Sequence, residues 1–354
     1  MKNTLQLLLE ERGRLLADGA MGTNLFAVGL QTGDAPELWN VDHPERIAAL
    51  HGAFVQAGSD IILTNSFGGT RYRLALHKAS ERVTELNQHA AALARAEADK
   101  ADRPVLVAGS MGPTGEILEP NGPVSIEQAG AAFSEQAEAL AEGGADILWV
   151  ETLSSAEEIK AAVTGAAQIG LPIVVTVSID TNGRTMMGMT PADTLAACTG
   201  AKFPISAIGS NCGVGASEVV AAVCNLRAAA SDHDEQPPII AKANCGIPEY
   251  LDGKIVYSGT PELMAVYTQL CADAGASIIG GCCGTTPTHV ASMRRALDSW
   301  APGNAAPDVD RIEALLGELS QGAKAQMRGD LSVAGGSATG QGSRRSRRSR
   351  KRAD

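Results

Sequence analysis

GGADILWVET (residues 143–152) is the stretch that decides the fold, because two glycines precede a short apolar run that ends on an acid. Two other stretches, AGSDIIL (57–63) and AGASIIG (274–280), have Ala-Gly in place of the two glycines before a similar apolar run. Glycine before a short and almost continuously apolar run is typical of a place where a helix ends and a buried parallel strand begins. The pattern therefore predicts parallel strands with helices packed outside them.

Eight such apolar runs occur, and a stretch with helical spacing follows each of them. The predicted strands are Leu15–Gly19, Asp60–Phe67, Val105–Ser110, Ile147–Glu151, Ile173–Ile179, Ile205–Asn211, Pro238–Asn244 and Ser277–Cys282. Eight β/α units in about 300 residues predict a TIM (β/α)8 barrel, an α/β fold, rather than a doubly wound sheet, which usually has fewer strands. A Rossmann-like domain with a second domain is the alternative, and the lack of G-x-G-x-x-G after the first strand weakens it.

The domain boundaries follow from this pattern. Residues 1–300 are assigned to the barrel, and residues 301–330 to a C-terminal helical extension with one helix over Asp308–Met327. Residues 331–354 are Gly/Ser-rich and then basic, so they cannot bury apolar surface and are predicted to be a disordered tail. A solvated tail is the simpler interpretation, and a tether to an acidic partner or nucleic acid is the alternative.

The charge is divided between two regions. The whole chain has 29 basic and 40 acidic residues; seven of the basic ones lie in Arg344–Arg352 and one acid is Asp354, which leaves 22 and 39, or −17, for residues 1–343. This acidity argues against nucleic-acid binding by the folded body. Charges at residues 10–12 interrupt the first apolar run, and no apolar stretch approaches the roughly 18 residues of a membrane span. We therefore expect a cytoplasmic protein.

Seven cysteines, all between residues 198 and 283, indicate metal or thiol chemistry in a chain of this class. Cys212 closes the sixth predicted strand, and Cys282 and Cys283 close the eighth. Active sites of TIM barrels lie at these strand ends. Three thiolates from two strand ends predict a three-cysteine zinc site with an open fourth position, and inert buried thiols are the alternative. Cys245 is a candidate pocket residue without a metal role.

The remaining cysteines and the histidines bear on the kind of chemistry. Cys198, Cys224 and Cys271 lie in helix-like stretches and are expected to be core residues. None of the six histidines stands at a predicted strand end, as zinc hydrolases usually require. An open thiolate-rich zinc site binds a substrate thiol as thiolate and keeps it nucleophilic. The predicted reaction class is therefore thiol alkylation.

Six motifs extend the argument to a family. DGAMGT, TNSF, GSMGPTG, VET, SNCG and GGCCGTTPTH occur in this order across residues 18–289. Together they resemble the homocysteine S-methyltransferase family, which includes betaine-homocysteine methyltransferases and the homocysteine-binding module of cobalamin-dependent methionine synthase. The resemblance covers about four-fifths of the chain. It implies a TIM barrel, zinc (Zn2+), homocysteine as methyl acceptor and methionine as product.

The resemblance also implies roles for individual residues. Cys212, Cys282 and Cys283 match the zinc ligands, and Glu151 matches the acid that binds the substrate ammonium group. The remaining residues that the resemblance implies either hold the carboxylate of the substrate or support the site. They are Asp18, Gly19, Ala20, Gly22, Thr64 and Asn211. A structural salt bridge is the alternative role for Glu151.

The methyl donor is left open between two classes. In betaine-using relatives, aromatic rings enclose the quaternary ammonium, but two of the matching positions hold Gly68 and Thr152 in this chain, which has only twelve rings. Trp39 is the candidate donor contact, with a loop anchor as its alternative role. The donor is thus betaine or another onium compound, or methylcobalamin supplied in trans by a separate corrinoid protein.

Two other functions remain as alternatives at this stage. A non-catalytic zinc or thiol-binding barrel acting as a sensor would bind metal without turnover. A Schiff-base lyase would use Lys242, which lies in the seventh predicted strand. The favoured interpretation is a zinc-dependent methyltransferase acting on small molecules, without a membrane or nucleic-acid partner.

Overall fold

The computed structural model describes residues 2–179, 181–232, 236–251 and 254–331. Within these ranges the strands are β1 (Leu15–Leu16), β2 (Ile61–Leu63), β3 (Leu106–Met111), β4 (Ile147–Leu153), β5 (Ile173–Val177), β6 (Ala207–Cys212), β7 (Ile239–Ala243), β8 (Pro248–Leu251), β9 (Lys254–Tyr257) and β10 (Ile278–Gly281). The predicted basic tail, apart from its first residue, lies outside the described residues.

The α-helices of the described residues alternate with these strands and then continue beyond them. They are α1 (Thr4–Arg12), α2 (Gly22–Ala27), α3 (Trp39–Asp42), α4 (Pro44–Gln56), α5 (Arg71–Ala75), α6 (Val83–Ala98), α7 (Ile126–Glu142), α8 (Ala156–Ala166), α9 (Pro191–Thr199), α10 (Ala216–Ala229), α11 (Pro261–Asp273), α12 (Pro287–Asp298), α13 (Val309–Leu316) and α14 (Gln321–Met327). None of them combines the length and apolar character that a membrane crossing requires.

Eight of the strands form a parallel barrel in the order β1-β10-β7-β6-β5-β4-β3-β2. A parallel bridge between Ala17 and Ile61 joins the two ends of this order. The N–H of Asp18 also donates to the carbonyl of Ile61 over 3.0 Å, so the ring closes. The predicted TIM barrel is confirmed, and each of the eight predicted strands is present.

The barrel is filled from inside and closed at its N-terminal end. Alternate residues of the strands point inward, among them Trp149, which is fully buried. Leu5 and Leu8 of α1 belong to the same cluster, and Asn3 donates to the Ser206 hydroxyl just before β6 over 3.0 Å. Helix α1 therefore covers the end of the barrel remote from the loops that follow the strands.

Two segments differ from the sequence expectation. The helix expected over Asp308–Met327 is two helices, because Gly317, at φ +99°, ends α13 and Ser320 caps the start of α14. Strands β8 and β9 pair as an antiparallel hairpin between β7 and α11, where no strand was predicted. The hairpin lies after a barrel strand, on the same side as the other loops that follow strands.

A buried carboxylate fastens the N-terminal end of the barrel. Asp60 accepts a hydrogen bond from the N–H of Leu16 over 2.8 Å. Three guanidinium groups surround the same side chain, which is 3% exposed: Arg12, Arg103 at 3.5 Å and Arg294 at 3.1 Å. This carboxylate lies just before β2 and contacts residues of α1, β1 and α12. It therefore links the first elements of the barrel to its last helix.

Replacement of this carboxylate is expected to destabilise the fold. Asp60→Ala removes the acceptor for the Leu16 N–H and leaves three cations together, which should cost about 2–4 kcal/mol in the free energy of unfolding. Lys2→Ala is the matched control, since its ion pair with Glu10 is exposed and should contribute less than about 1 kcal/mol. Urea unfolding measures both; equal losses would contradict this role for Asp60.

Candidate functional site

A cavity of about 400 Å³ opens at the C-terminal ends of the barrel strands. Its lining joins the ends of most of the barrel strands to the first long loop. The predicted site residues that line it are Asp18, Gly19, Ala20, Gly22, Thr64, Glu151, Cys212, Cys282 and Cys283. The structure therefore brings together, in one cavity, most of the residues that the sequence singled out.

The three predicted ligand cysteines meet at this cavity. The sulfur atoms of Cys212, Cys282 and Cys283 lie within 4.8 Å of one another. Strand β7 separates β6 from β10 in the barrel, yet both strands deliver their thiols to one point. Among the described residues, no other group of three His, Cys, Asp or Glu side chains has this geometry.

The thiol cluster fits a tetrahedral metal ion. An ion bonded to sulfur at about 2.3 Å holds its sulfur ligands about 3.8 Å apart, so small shifts of these side chains would complete such a site. The three cysteine residues are partly buried and line the cavity, which leaves the fourth position open to a ligand that enters there. Soft thiolate donors favour zinc among the common divalent metals.

Backbone and amide contacts hold the thiols in place. Asn244, at the end of β7, accepts from the N–H of Cys283 over 3.0 Å and donates to the carbonyl of Gly213 over 2.7 Å. Its amide group thus ties the two ligand-bearing strand ends to each other. The sequence analysis missed this role, although Asn244 ends the seventh predicted strand. The sequence does not indicate which groups an amide side chain at that position would bind.

Asn211 holds one of two strained residues at the strand ends. Cys212 and Thr152 have φ angles of +63° and +65°, which non-glycine residues rarely adopt. The Asn211 side chain accepts from the N–H of Thr152 over 3.0 Å and donates to its hydroxyl over 2.8 Å. Its amide also lies 4.0 Å from the sulfur of Cys282. Asn211 is buried behind the thiols, so it supports them rather than lining the cavity.

Burial and mutual hydrogen bonds raise the pKa of all three thiols above the ordinary value of a cysteine. The hydrogen bond of Cys212 with Cys282 lowers its pKa, but the bond with Cys283 and burial raise it, and the net pKa is about 12. Comparable interactions raise the pKa of Cys283 to about 12 and that of Cys282 further. A metal ion would have to displace these protons, so metal binding would release protons to solvent.

A buried charge cluster lies beside the thiols. Lys242 donates to Asp18 Oδ1 over 3.0 Å, and Leu63 donates its N–H to Asp18 Oδ2 over 2.8 Å. Burial opposes the charge of Lys242, but the carboxylates of Asp18 and Glu151 raise its pKa above the ordinary value. Burial raises the pKa of Glu151, while Lys242 and Ser110 partly offset this effect. The cluster therefore contains one cation between two carboxyl groups.

Hydroxyl groups orient the carboxylate of Glu151 in this cluster. Ser110 donates to Glu151 Oε1 over 2.5 Å, which leaves Oε2 able to accept from a ligand. Thr64 accepts from the Ser110 N–H over 2.9 Å and shares a 2.6 Å hydrogen bond with Ser66, whose hydroxyl donates to the Ser110 carbonyl. Ser66 and Ser110 were not predicted, although both lie within motifs quoted from the sequence.

The first loop approaches the last strand closely. A Cβ at Gly19 would lie 2.5 Å from the carbonyl oxygen of Thr285, so this position requires glycine. The N–H of Ala20 donates to that carbonyl over 3.0 Å and is thus occupied within the protein. Gly22 begins α2, where backbone N–H groups lack partners inside the helix and can bind an anionic ligand.

Trp39 does not line the cavity. Its ring is 7% exposed and packs with Leu25, Leu30 and Ile47, with the guanidinium of Arg46 4.9 Å from its centre. The structure thus places Trp39 as an anchor of the first loop. Four cavity residues that the sequence analysis did not single out are Phe26, Glu37, Phe67 and Arg73.

The other cysteines are separate from the site. Cys198 and Cys271 are buried in α9 and α11, and Cys224 is half-buried in α10. Cys245 is fully buried after β7, where its N–H donates to the carbonyl of Cys283 over 2.8 Å. Cys245 does not line the cavity. Its backbone N–H instead helps to hold Cys283, one of the predicted metal ligands.

Comparison with known sequences gives a consistent result. The sequence model of the homocysteine S-methyltransferase family matches residues 15–297. The chain is 31% identical to the methionine synthase of Mycobacterium tuberculosis over 299 residues, which cover 80% of this chain and 24% of that protein. The methionine synthase of Mycobacterium leprae is also 31% identical, over 81% of this chain and 25% of its own length. The chain thus spans about a quarter of these relatives.

Solved structures with a similar fold belong to a protein about as long as the matched part of this chain. The homocysteine methyltransferase MmuM from Escherichia coli superposes with a TM-score of 0.69 in its oxidised form and 0.68 in its metallated form. Each comparison shows 28% identity and covers 83% of this chain and 99% of MmuM. The existence of a metallated form of this neighbour agrees with a metal-binding role for the cysteine cluster.

Removal of one thiol is expected to remove metal binding. Cys283→Ala leaves two sulfurs of the cluster, so the purified protein should retain less than about a tenth of the metal of the unmodified protein. Elemental analysis measures the metal. Cys198→Ala is the control, since that buried thiol lies on a helix outside the cavity and its loss should leave the metal content unchanged. Full metal content in Cys283→Ala would eliminate the cluster as the site.

Proposed function

We propose that this chain, which belongs to the homocysteine S-methyltransferase family, is a zinc-dependent methyltransferase that forms methionine from homocysteine. The observation that carries this proposal is the meeting of Cys212, Cys282 and Cys283 within 4.8 Å at the cavity. Three thiolates bind zinc and leave one tetrahedral position for the sulfur of a substrate. A zinc ion held there supplies a Lewis acid that keeps the homocysteine sulfur as thiolate near neutral pH.

The charge cluster supports the binding of an amino acid. Asp18 and Glu151 carry two negative charges when ionised, and Lys242 carries one positive charge. With both carboxyl groups ionised, the cluster has a net charge of −1, which the α-ammonium group of homocysteine would balance. The free Oε2 of Glu151 is the acceptor we assign to that ammonium group, since Ser110 already occupies Oε1. Burial of this carboxylate strengthens the attraction.

The backbone at the start of α2 supports the substrate carboxylate. Met21, Gly22 and Thr23 line the cavity where helix N–H groups point out of the helix. With the ammonium group at Glu151 and the carboxylate at this turn, the substrate has two fixed points and its sulfur can reach the thiol cluster. Fixing the nucleophile in this way supplies the orientation that methyl transfer requires.

Methyl transfer itself needs no separate general base. Zinc held by the three cysteines would favour loss of the substrate thiol proton, and the sulfur would then attack the donor methyl carbon along the line of the breaking bond. The donor is an onium compound such as betaine or a sulfonium, or methylcobalamin on a separate corrinoid protein.

The two alternative functions find less support. Lys242 would need to be neutral to form a Schiff base, but its ion pair with Asp18 and the nearby Glu151 raise its pKa and stabilise the charged form. A sensor would not need a carboxylate kept available for the ammonium group beside the metal site. The arrangement of Glu151 and the thiols around one cavity favours catalysis.

The role of Glu151 can be tested with a matched pair of variants. Glu151→Gln removes the charge that we assign to the substrate ammonium, and kcat/KM for homocysteine should fall about 10- to 100-fold. Glu158→Gln is the control, because this buried acid bonds to Thr114 and lies outside the cavity lining. Methionine formation with saturating donor measures both. Equal effects of the two substitutions would contradict the assignment.

The Schiff-base alternative has its own test. Treatment of the protein with pyruvate or another carbonyl compound and borohydride should leave its mass unchanged, because Lys242 is held as a cation by Asp18. Mass spectrometry of the intact protein and of its peptides gives the readout. A stable adduct on Lys242 would restore the lyase interpretation.

A further inference from the structure

Lys242 is a buried lysine whose side chain reaches the cavity. The side chain is 3% exposed, and Lys242 is one of the residues that line the cavity. Strand β10 lies between β7 and β1 in the barrel, so this side chain passes over β10 to donate to Asp18 just after β1. A buried ion pair is often no more stable than apolar side chains of similar volume. The stability of the fold therefore gives no reason for a lysine at this position.

A glycine on β10 makes room for this side chain. Gly280 pairs in register with Lys242 in the barrel. A Cβ atom at Gly280 would lie 3.1 Å from Lys242 Cγ and 2.8 Å from the Cβ of Ala17. Because protein interiors are close-packed, there is no space at this point for a larger residue. The aliphatic part of Lys242 is thus confined by its neighbours, which fixes where its ammonium group can lie.

The ammonium group of Lys242 has donors that the protein does not use. An ammonium group carries three N–H donors. One of them binds Asp18 Oδ1 over 3.0 Å, and among the described residues no other acceptor is within hydrogen-bond distance of Nζ. The ring of Trp149, centred 5.4 Å from Nζ, is fully buried in the barrel interior. Unpaired donors in a buried place are costly, so the remaining donors of Lys242 indicate an oxygen atom of a ligand in the cavity.

The carboxyl groups near Lys242 suit a ligand with two opposite charges. Asp18 already accepts from Lys242 and from the N–H of Leu63. Glu151 acts on Lys242 through its charge, but the two form no ion pair in the part of the chain that the structure describes. An anion at Lys242 and a cation at Glu151 would make a row of alternating charges from Asp18 to Glu151. Every neighbouring pair in such a row attracts.

We propose that Lys242 binds the α-carboxylate of the thiol substrate, so that Lys242 and Glu151 together recognise the two charges of an amino acid. These two groups of an α-amino acid are on the same carbon atom, so two partners that line one cavity can bind both. One carboxylate oxygen accepts from Lys242, and the other accepts from the N–H groups at the start of α2. This inference rests on the proposed function, because it assigns a partner to the carboxylate of the same substrate.

Two analogues of homocysteine separate the two charges. 3-Aminopropanethiol keeps the ammonium group and lacks the carboxylate, whereas 4-mercaptobutanoate keeps the carboxylate and lacks the ammonium group. Both keep the sulfur and the carbon chain that joins it to the charged group. Because Lys242 binds the carboxylate, its loss should weaken the binding of homocysteine and 4-mercaptobutanoate but not that of 3-aminopropanethiol. A lysine that only supported the fold would affect all three thiols alike.

The experiment measures the Kd of each thiol for the zinc-loaded, full-length protein by isothermal titration calorimetry. Lys242→Met should raise Kd for homocysteine and 4-mercaptobutanoate about 10- to 100-fold, the loss expected for a charge-assisted hydrogen bond. Kd for 3-aminopropanethiol should not rise. Glu151→Gln should give the opposite pattern for the two analogues, with weaker binding of 3-aminopropanethiol alone. An equal rise of Kd for all three thiols in Lys242→Met would contradict the assignment.

A second variant removes the whole ion pair. Lys242→Met leaves Asp18 buried without its cation, which destabilises the protein. Asp18→Asn combined with Lys242→Met removes both charges and should show the same selective loss of carboxylate binding. Lys202→Met is the control, because Lys202 is exposed and its Nζ also lies 5.4 Å from the centre of a ring, that of Phe203. The control should leave all three Kd values unchanged.

Failure of this inference differs from failure of the proposed function. If the unmodified protein does not bind homocysteine, the proposed function is contradicted. If the unmodified protein binds homocysteine, and both variants at Lys242 bind homocysteine and 4-mercaptobutanoate as tightly as it does, Lys242 is not the carboxylate partner and the proposed function stands. A selective loss of the two carboxylate-bearing thiols in either variant supports both.

Discussion

Closure of the parallel barrel is the constraint on which the site depends. The bridge between Ala17 and Ile61 turns an open sheet into a ring, so the C-terminal ends of all the strands face one space. Thiols from β6 and β10 can then converge although β7 separates these strands. Asn244, at the end of β7, bonds through its side-chain amide to Gly213 after β6 and to Cys283 after β10. The convergence of the three thiols is therefore a product of the barrel geometry together with one buried amide.

The two sides of the cavity differ in their chemistry. Soft sulfur atoms and the buried cluster of Asp18, Glu151 and Lys242 suit a thiol-bearing amino acid. Phe26, Phe67 and the buried side chain of Glu37 line the other side of the cavity. The acidic body of the chain, with a net charge of −17 over residues 1–343, also favours the approach of cationic groups.

Much of this structure could be predicted from the sequence, for physical reasons. Continuous apolar runs between glycine pairs specify buried parallel strands, and Cys212, Cys282 and Cys283 follow from their positions at strand ends. The hairpin of β8 and β9 and the break at Gly317 were not predicted, because local turn geometry decides them. The positions of Trp39 and Phe67 could not be predicted for a similar reason. Whether a ring reaches the cavity depends on how its loop folds back, which the amino-acid composition does not determine.

X-ray absorption spectroscopy at the zinc edge tests the central claim most directly. Zinc-loaded protein should show three sulfur neighbours at about 2.3 Å and one lighter ligand, and addition of homocysteine should convert this to four sulfur neighbours. Such a change would place the substrate sulfur in the open position between Cys212, Cys282 and Cys283. A first shell dominated by nitrogen or oxygen, or a shell that homocysteine leaves unchanged, would contradict the account.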